Sequence, residues 1–189
     1  MPDIFTLEPM TNIPADSSYV VSYPYLRNFF AGKACFGIED IVCGAHMVYG
    51  WMPTALDLYP NPPNISLQTG ADLLTKAKIQ GTLLESEIEM LASLVNNSVV
   101  GASKLLHFVL PTSFAIWDSK IYAFLFQETA HHYRVNCVSA YRSYLGQLEL
   151  HRVDSRFPQF HKSVNTKIGY GVSGLRALEL IMFLNAPDL

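Results

Sequence analysis

The chain is poor in charge and in cysteine, and it has no long apolar run. Only 15% of its 189 residues are Asp, Glu, Lys or Arg, against 50% hydrophobic. A chain that apolar offsets its ordering entropy by burial, which excludes intrinsic disorder as the default. No uninterrupted hydrophobic stretch reaches the ~18 residues of a membrane span. The richest, IVCGAHMVYGWM at 41–52, is short and contains His46. The first residues, MPDIFTLEPMTNIPADSS, carry acids and prolines where a secretory signal has basic and then apolar residues. These absences point to a soluble, cytoplasmic protein with no membrane partner. Cys35, Cys43 and Cys137 cannot all pair within one chain, and in a reducing compartment they are most simply free thiols. A nucleotidase-type glycine loop, a paired-CxxC metal site and a serine nucleophile elbow are also missing.

The net charge of −3 conceals an asymmetry. Residues 1–100 hold 4 basic against 10 acidic residues, a net −6, and residues 101–189 hold 9 against 6, a net +3. Avid non-specific DNA binding comes from phosphate neutralisation, and an acidic chain does not supply it. The basic half has enough cations for a local patch, and the acidic half suits a protein partner.

Strand signals are scarce. Apolar residues recur at helical spacing, as at Leu84, Ile88, Leu91 and Val95, and no period-2 hairpin stands out. Residues 1–24, punctuated by Pro2, Pro9, Pro14 and Pro24, are predicted to be extended. Residues 25–189 are predicted to form a single all-α domain of about nine helices, in one or two closely packed lobes. The spacing predicts helices over 25–31, 38–51, 69–80 capped by Thr69, 83–95 capped by Thr82 with Glu85, 102–110, 119–133, 137–150 and 175–184. DLYPNPPN at 57–64 is predicted to be a loop, since its prolines exclude a helix or a central strand. NNSVVG at 96–101 is predicted to be a turn, and Pro111 stops the helix that follows it.

Two charged residues stand out in the apolar stretch SKLLHFVLPTSFAIWDSKIYAFL, 103–125. Lys104 lies among Leu105, Leu106, Phe108 and Val109, and Asp118 heads the next helix. A lysine is a nucleophile only when neutral, and burial at an apolar helix junction disfavours its cation. A carboxylate at a helix N-terminus can stabilise developing positive charge or move protons. Each residue also has a purely architectural explanation. The lysine stem can snorkel along the core with its amine in water, and the aspartate can be a plain cap worth ~1 kcal/mol.

Taken whole, residues 83–125 present a helix, a tight turn with Gly101, a second helix carrying Lys104, the apolar link Phe114-Ala115-Ile116-Trp117, and Asp118 heading a third helix. This unit resembles the core of the helix-hairpin-helix DNA glycosylase superfamily, most of all its 8-oxoguanine glycosylase branch, over about a quarter of the chain. The resemblance implies an N-glycosylase acting on a purine base, with Lys104 as Schiff-base nucleophile and Asp118 beside it. It further implies a nucleic-acid partner, which could be single-stranded, structured or modified DNA, and no metal or organic cofactor. Lys120, two residues past Asp118, would hold a phosphate, and Trp117 and Phe114 could stack on an extruded base. Stand-alone proteins of this kind would fit a bacterial defence or modification system. The family hairpin usually carries two glycines just before the lysine helix. This chain has Gly101 alone, shifted in register, which sets its hairpin apart from ordinary duplex docking. A non-catalytic helical binding module on the same scaffold is the alternative.

Other candidates are weaker. His107, one turn after Lys104, could carry protons in the same pocket or simply pack in the core. Cys43 and His46 share a helix spacing that metal ligands use, but no fourth ligand is suggested, and a buried helix face explains them better. His131-His132 is predicted to end a helix. Arg176 and Glu179 (i, i+3) can pair on the last helix.

Overall fold

The computed structural model describes residues 2–52, 54–58 and 65–187. Among these the chain is all-helical. It has eleven α-helices: α1 (Ile4–Leu7), α2 (Ser18–Ala31), α3 (Ile38–Trp51), α4 (Leu67–Gln80), α5 (Glu85–Leu94), α6 (Val99–Val109), α7 (Ser119–Phe126), α8 (His132–Val135), α9 (Val138–Arg152), α10 (Phe157–Ile168) and α11 (Gly174–Leu184), with a 3-10 turn at Glu8–Met10. The only β feature among them is an isolated bridge between Leu58 and Val95. No described helix is long and apolar enough to cross a membrane.

The predicted extended segment at 1–24 is instead largely helical. Asp3 caps α1 through Oδ1, which accepts the Phe5 amide at 3.0 Å. Ser17 caps α2, which runs straight through Pro24. A proline inside a helix removes the hydrogen bond to the carbonyl four residues earlier, here Val20. The Tyr170 hydroxyl takes that vacated carbonyl at 2.7 Å, so tertiary structure satisfies what the helix cannot.

Helix starts also move. Ser66, not Thr69, caps α4. The capping box of α5 is closed by Glu87 rather than by Thr82 with Glu85: its Oε2 accepts the Leu84 amide at 2.9 Å. The helix predicted over 119–133 breaks after Phe126, where Gln127 adopts a left-handed φ of 54° and ends α7. His131 then caps α8 instead of closing a helix. The predicted loop keeps Asp57 and Leu58 in view, and 59–64 lie outside the described residues.

Helix α6 is the axis of the core. Every residue of it except Val100 is buried, as befits a helix that is apolar nearly all round. Helices α2, α3, α4 and α5 pack around it, and α11 packs on α7, α9 and α10. It begins one turn earlier than predicted. Asn96 and Asn97 turn the chain with φ of 57° and 48°, a region asparagine tolerates. Ser98 then caps the helix through Oγ, which accepts the Gly101 amide at 3.1 Å. Gly101 therefore lies inside α6, where α3 crosses closely. A Cβ there would fall 2.0 Å from the Tyr49 hydroxyl, which itself donates to Val95 O at 3.0 Å.

Candidate functional site

Three interactions fix the link between α6 and α7. The Ser103 hydroxyl accepts the Trp117 amide at 3.1 Å and sits 3.2 Å from Trp117 O. His107 Nδ1 lies 2.8 Å from Phe114 O, and the Tyr141 hydroxyl donates to Ala115 O at 3.1 Å. A carbonyl can only accept, so Nδ1 carries the His107 proton and Nε2 accepts from the Tyr23 hydroxyl at 2.8 Å. Burial drives the His107 pKa down to about 3, keeping the ring neutral.

This clamp sets Asp118 against Lys104. The Oδ1 atom of Asp118 caps α7 by accepting the Ile121 amide at 3.0 Å, leaving Oδ2 3.7 Å from the Lys104 ammonium. Lys104 is 6% exposed and Asp118 8%. The lysine does not snorkel to bulk water, since its amine ends at the carboxylate. Burial lowers its pKa, and the charges of Asp118 and Glu179 pull it back up in part.

A second ion pair lies beside the first. Arg176 and Glu179 on α11 pair at i, i+3, but in the core rather than on the surface, at 3% and 1% exposure. Burial raises the Glu179 carboxyl to about 7. Arg176 opposes that rise and Asp118 adds to it. The guanidinium lies over the Tyr23 ring (4.9 Å) and near Trp51 (5.8 Å). Its side chain makes one hydrogen bond among the described residues, to Glu179. The Tyr144 hydroxyl, fully buried and within reach of the charges of Glu179 and Asp118, has no hydrogen-bond partner among the described residues.

The predicted site residues separate on this geometry. Lys104 and Asp118 come together. Lys120 is exposed at the rim, its ammonium 5.0 Å from the Phe183 ring centre. Trp117 leaves the substrate-contacting set because it is wholly buried, packed on Tyr144 and Tyr122, with its indole N–H bound to Val135 O at 2.7 Å. Phe114, 2% exposed, is likewise core. His107 leaves the set for the same reason, both ring nitrogens being spent on the clamp. Cys35 and Cys43 are exposed, and among the described residues no group of three or more His, Cys, Asp or Glu side chains is placed to hold a metal ion.

No protein-family model, curated protein or solved structure matches the chain.

The α5–α6 turn differs from an open phosphate cradle. The Val99 amide is taken by Asn136 Oδ1 at 2.7 Å and the Gly101 amide by Ser98. A surface cavity of about 400 Å³ at this turn is lined by Glu85 and Glu89, both exposed, which repel a phosphate backbone. Sequence reasoning missed Tyr19, Tyr23, Trp51 and Tyr144 as neighbours of the site, and expected the Arg176–Glu179 pair without its burial. The usable signal was the same as for Lys104, two charges in the apolar run LRALELIMFL.

Proposed function

We propose that the chain is an N-glycosylase-type protein acting on a purine base in nucleic acid through Lys104 and Asp118. The observation that carries this reading is a buried lysine of lowered pKa held 3.7 Å from a helix-capping carboxylate. An amine so placed is neutral at lower pH than an exposed lysine, and so becomes a usable nucleophile. In the reaction, the neutral amine attacks the anomeric carbon and a C–N bond forms. The N-glycosidic bond breaks with its electron pair leaving on the base, which takes up a proton from water. The new secondary ammonium passes its excess proton to Asp118. Asp118 returns that proton to the ring oxygen as the carbon–oxygen bond breaks, and the opened sugar is the protonated Schiff base from which a lyase step can proceed.

Borohydride trapping tests this. The protein is incubated with oligonucleotides carrying 8-oxoguanine or an abasic site, single-stranded and duplex, and resolved on a denaturing gel beside Lys104→Gln. A covalent adduct that the variant lacks is the expected result. An adduct of equal yield in the variant, or none with any substrate, overturns the Schiff-base assignment. A second reading, a non-catalytic helical binding module, is favoured by the occupied amides and exposed Glu85 and Glu89 at the α5–α6 turn. It gains if no adduct forms.

A further inference from the structure

The proposed reaction leaves open what delivers the base to Lys104, and the charge distribution bears on that. Duplex recognition relies on several cations neutralising phosphates. Here eight of the 13 Lys and Arg side chains are in ion pairs within the protein: Lys33, Lys76, Lys104, Arg134, Arg152, Arg156, Lys167 and Arg176. Arg142 and Lys78 donate to the backbone carbonyls of Leu83 and Val109. The cations left over are Arg27, Lys120 and Lys162; Lys120 lies in the first turn of α7 two residues past Asp118, and the hairpin is closed to phosphate by Asn136, Ser98, Glu85 and Glu89.

Around Lys120 the structure offers the parts of a small-ligand site. It sits in the first turn of α7, where Asp118 takes the Ile121 and Tyr122 amides, through Oδ1 and its carbonyl oxygen; the Ser119 and Lys120 amides before them have no hydrogen-bond partner among the described residues. Tyr19 and Phe183, both half-buried, hold their rings parallel within 9° at a centroid separation of 6.1 Å. Tyr19 is the fixed wall, backed by Trp51 at 3.8 Å. Phe183, in the last turn of α11, is the opposite ring. Trp51, which backs Tyr19, lies 5.8 Å from the Arg176 guanidinium, so the aromatic pair adjoins the buried cluster. Within that cluster, among the described residues, the buried Tyr144 hydroxyl lacks a partner and Arg176 uses a single donor. Buried polar groups left unpaired are costly, and they mark a place where another molecule supplies the missing hydrogen bonds.

Building on the glycosylase-type reading, we infer that the ligand is a single purine nucleotide unit bearing one phosphate, not a duplex. The flat base stacks against the Tyr19–Phe183 pair, with its edge toward Arg176, Glu179 and Tyr144. The sugar lies at Lys104 and Asp118, and the phosphate meets Lys120 and the start of α7. A free mononucleotide and one residue of a single strand share this chemistry.

Equilibrium binding separates this from the catalytic reading, because it needs no covalent step. Guanosine and adenosine, each with and without a 5′-phosphate, are titrated by calorimetry beside a short purine single strand and a duplex. A mononucleotide is expected to bind, and Lys120→Ala to weaken it roughly ten-fold, the size of one charge-assisted contact. The same variant weakens nucleotide binding more than nucleoside binding, since the nucleoside lacks the phosphate that Lys120 meets. Phe183→Ala weakens nucleoside and nucleotide alike. The salt slope for the mononucleotide is about −1 or shallower. A single strand that binds more tightly than the free nucleotide identifies the strand as the source, and equal affinity identifies the free form. A duplex that binds tightest with a steep salt slope, or no binding by any nucleotide, overturns the inference. Trapping that fails while a mononucleotide binds removes the catalytic reading alone. A trapped duplex adduct without mononucleotide binding removes this inference alone.

Discussion

Replacing Lys104 by methionine separates chemistry from architecture at the heart of this site. Methionine keeps most of the apolar stem and removes the charge. At 3.7 Å and an effective dielectric near 20, the Lys104–Asp118 attraction is about 4.5 kcal/mol. Against it stands the desolvation of a lysine that is 6% exposed, several kcal/mol for a buried ion. The two nearly cancel. Asp118 does not become a stranded charge in the variant, because its Oδ1 still accepts the Ile121 amide and it still sits at the N-terminus of α7. Lys104→Met is therefore expected to unfold in urea within about 1 kcal/mol of the wild type, a Tm change of no more than roughly 2–4 °C for a chain of this size. Its trapping activity should be abolished. Destabilisation by 3 kcal/mol or more would refute this reasoning, since it would make the lysine a structural partner whose loss the core cannot absorb.

Three further perturbations probe the surroundings. Glu179 has its carboxyl raised to about 7 from an ordinary value near 4.5, so its stabilising contribution is complete below about pH 4.5 and is lost as pH rises through about 7. Glu179→Gln should flatten the fall in stability across that window, measured by urea unfolding at stepped pH. Gly101→Ala places a methyl 2.0 Å from the rigid Tyr49 hydroxyl and should cost about 1–3 kcal/mol, read as a lowered midpoint; an unchanged midpoint would deny the close α3–α6 crossing. Tyr144→Phe removes a buried hydroxyl with no partner among the described residues and should leave the free protein as stable or more so, while weakening mononucleotide binding.

The helical class was legible because apolar residues recur at helical spacing and β signals are scarce. The boundaries were less so, for reasons local to particular residues. Pro24 looks like a breaker in sequence, and only the distant Tyr170 hydroxyl makes its place in α2 tolerable. Ser98 is a good cap hidden by the β-branched Val99 and Val100 after it. Gln127 ends α7 in a left-handed conformation that no glycine announces. At the site, Lys104 and Asp118 were visible because charge is conspicuous in an apolar run. The convergence of Tyr19, Tyr144, Arg176 and Glu179 was not, because helices α2, α9 and α11 meet only through tertiary packing. Trp117 and His107 drew notice as versatile side chains, yet their polar atoms serve the link that holds Asp118 in place.

The central claim is that Lys104 is the amine that reacts. Borohydride-reduced protein, incubated with an abasic-site oligonucleotide and digested with nuclease and protease, can be mapped by mass spectrometry. The account expects the sugar remnant on the peptide containing Lys104, and on no other lysine at comparable yield. A remnant distributed over exposed lysines such as Lys120 and Lys162, with Lys104 unmodified, would contradict it.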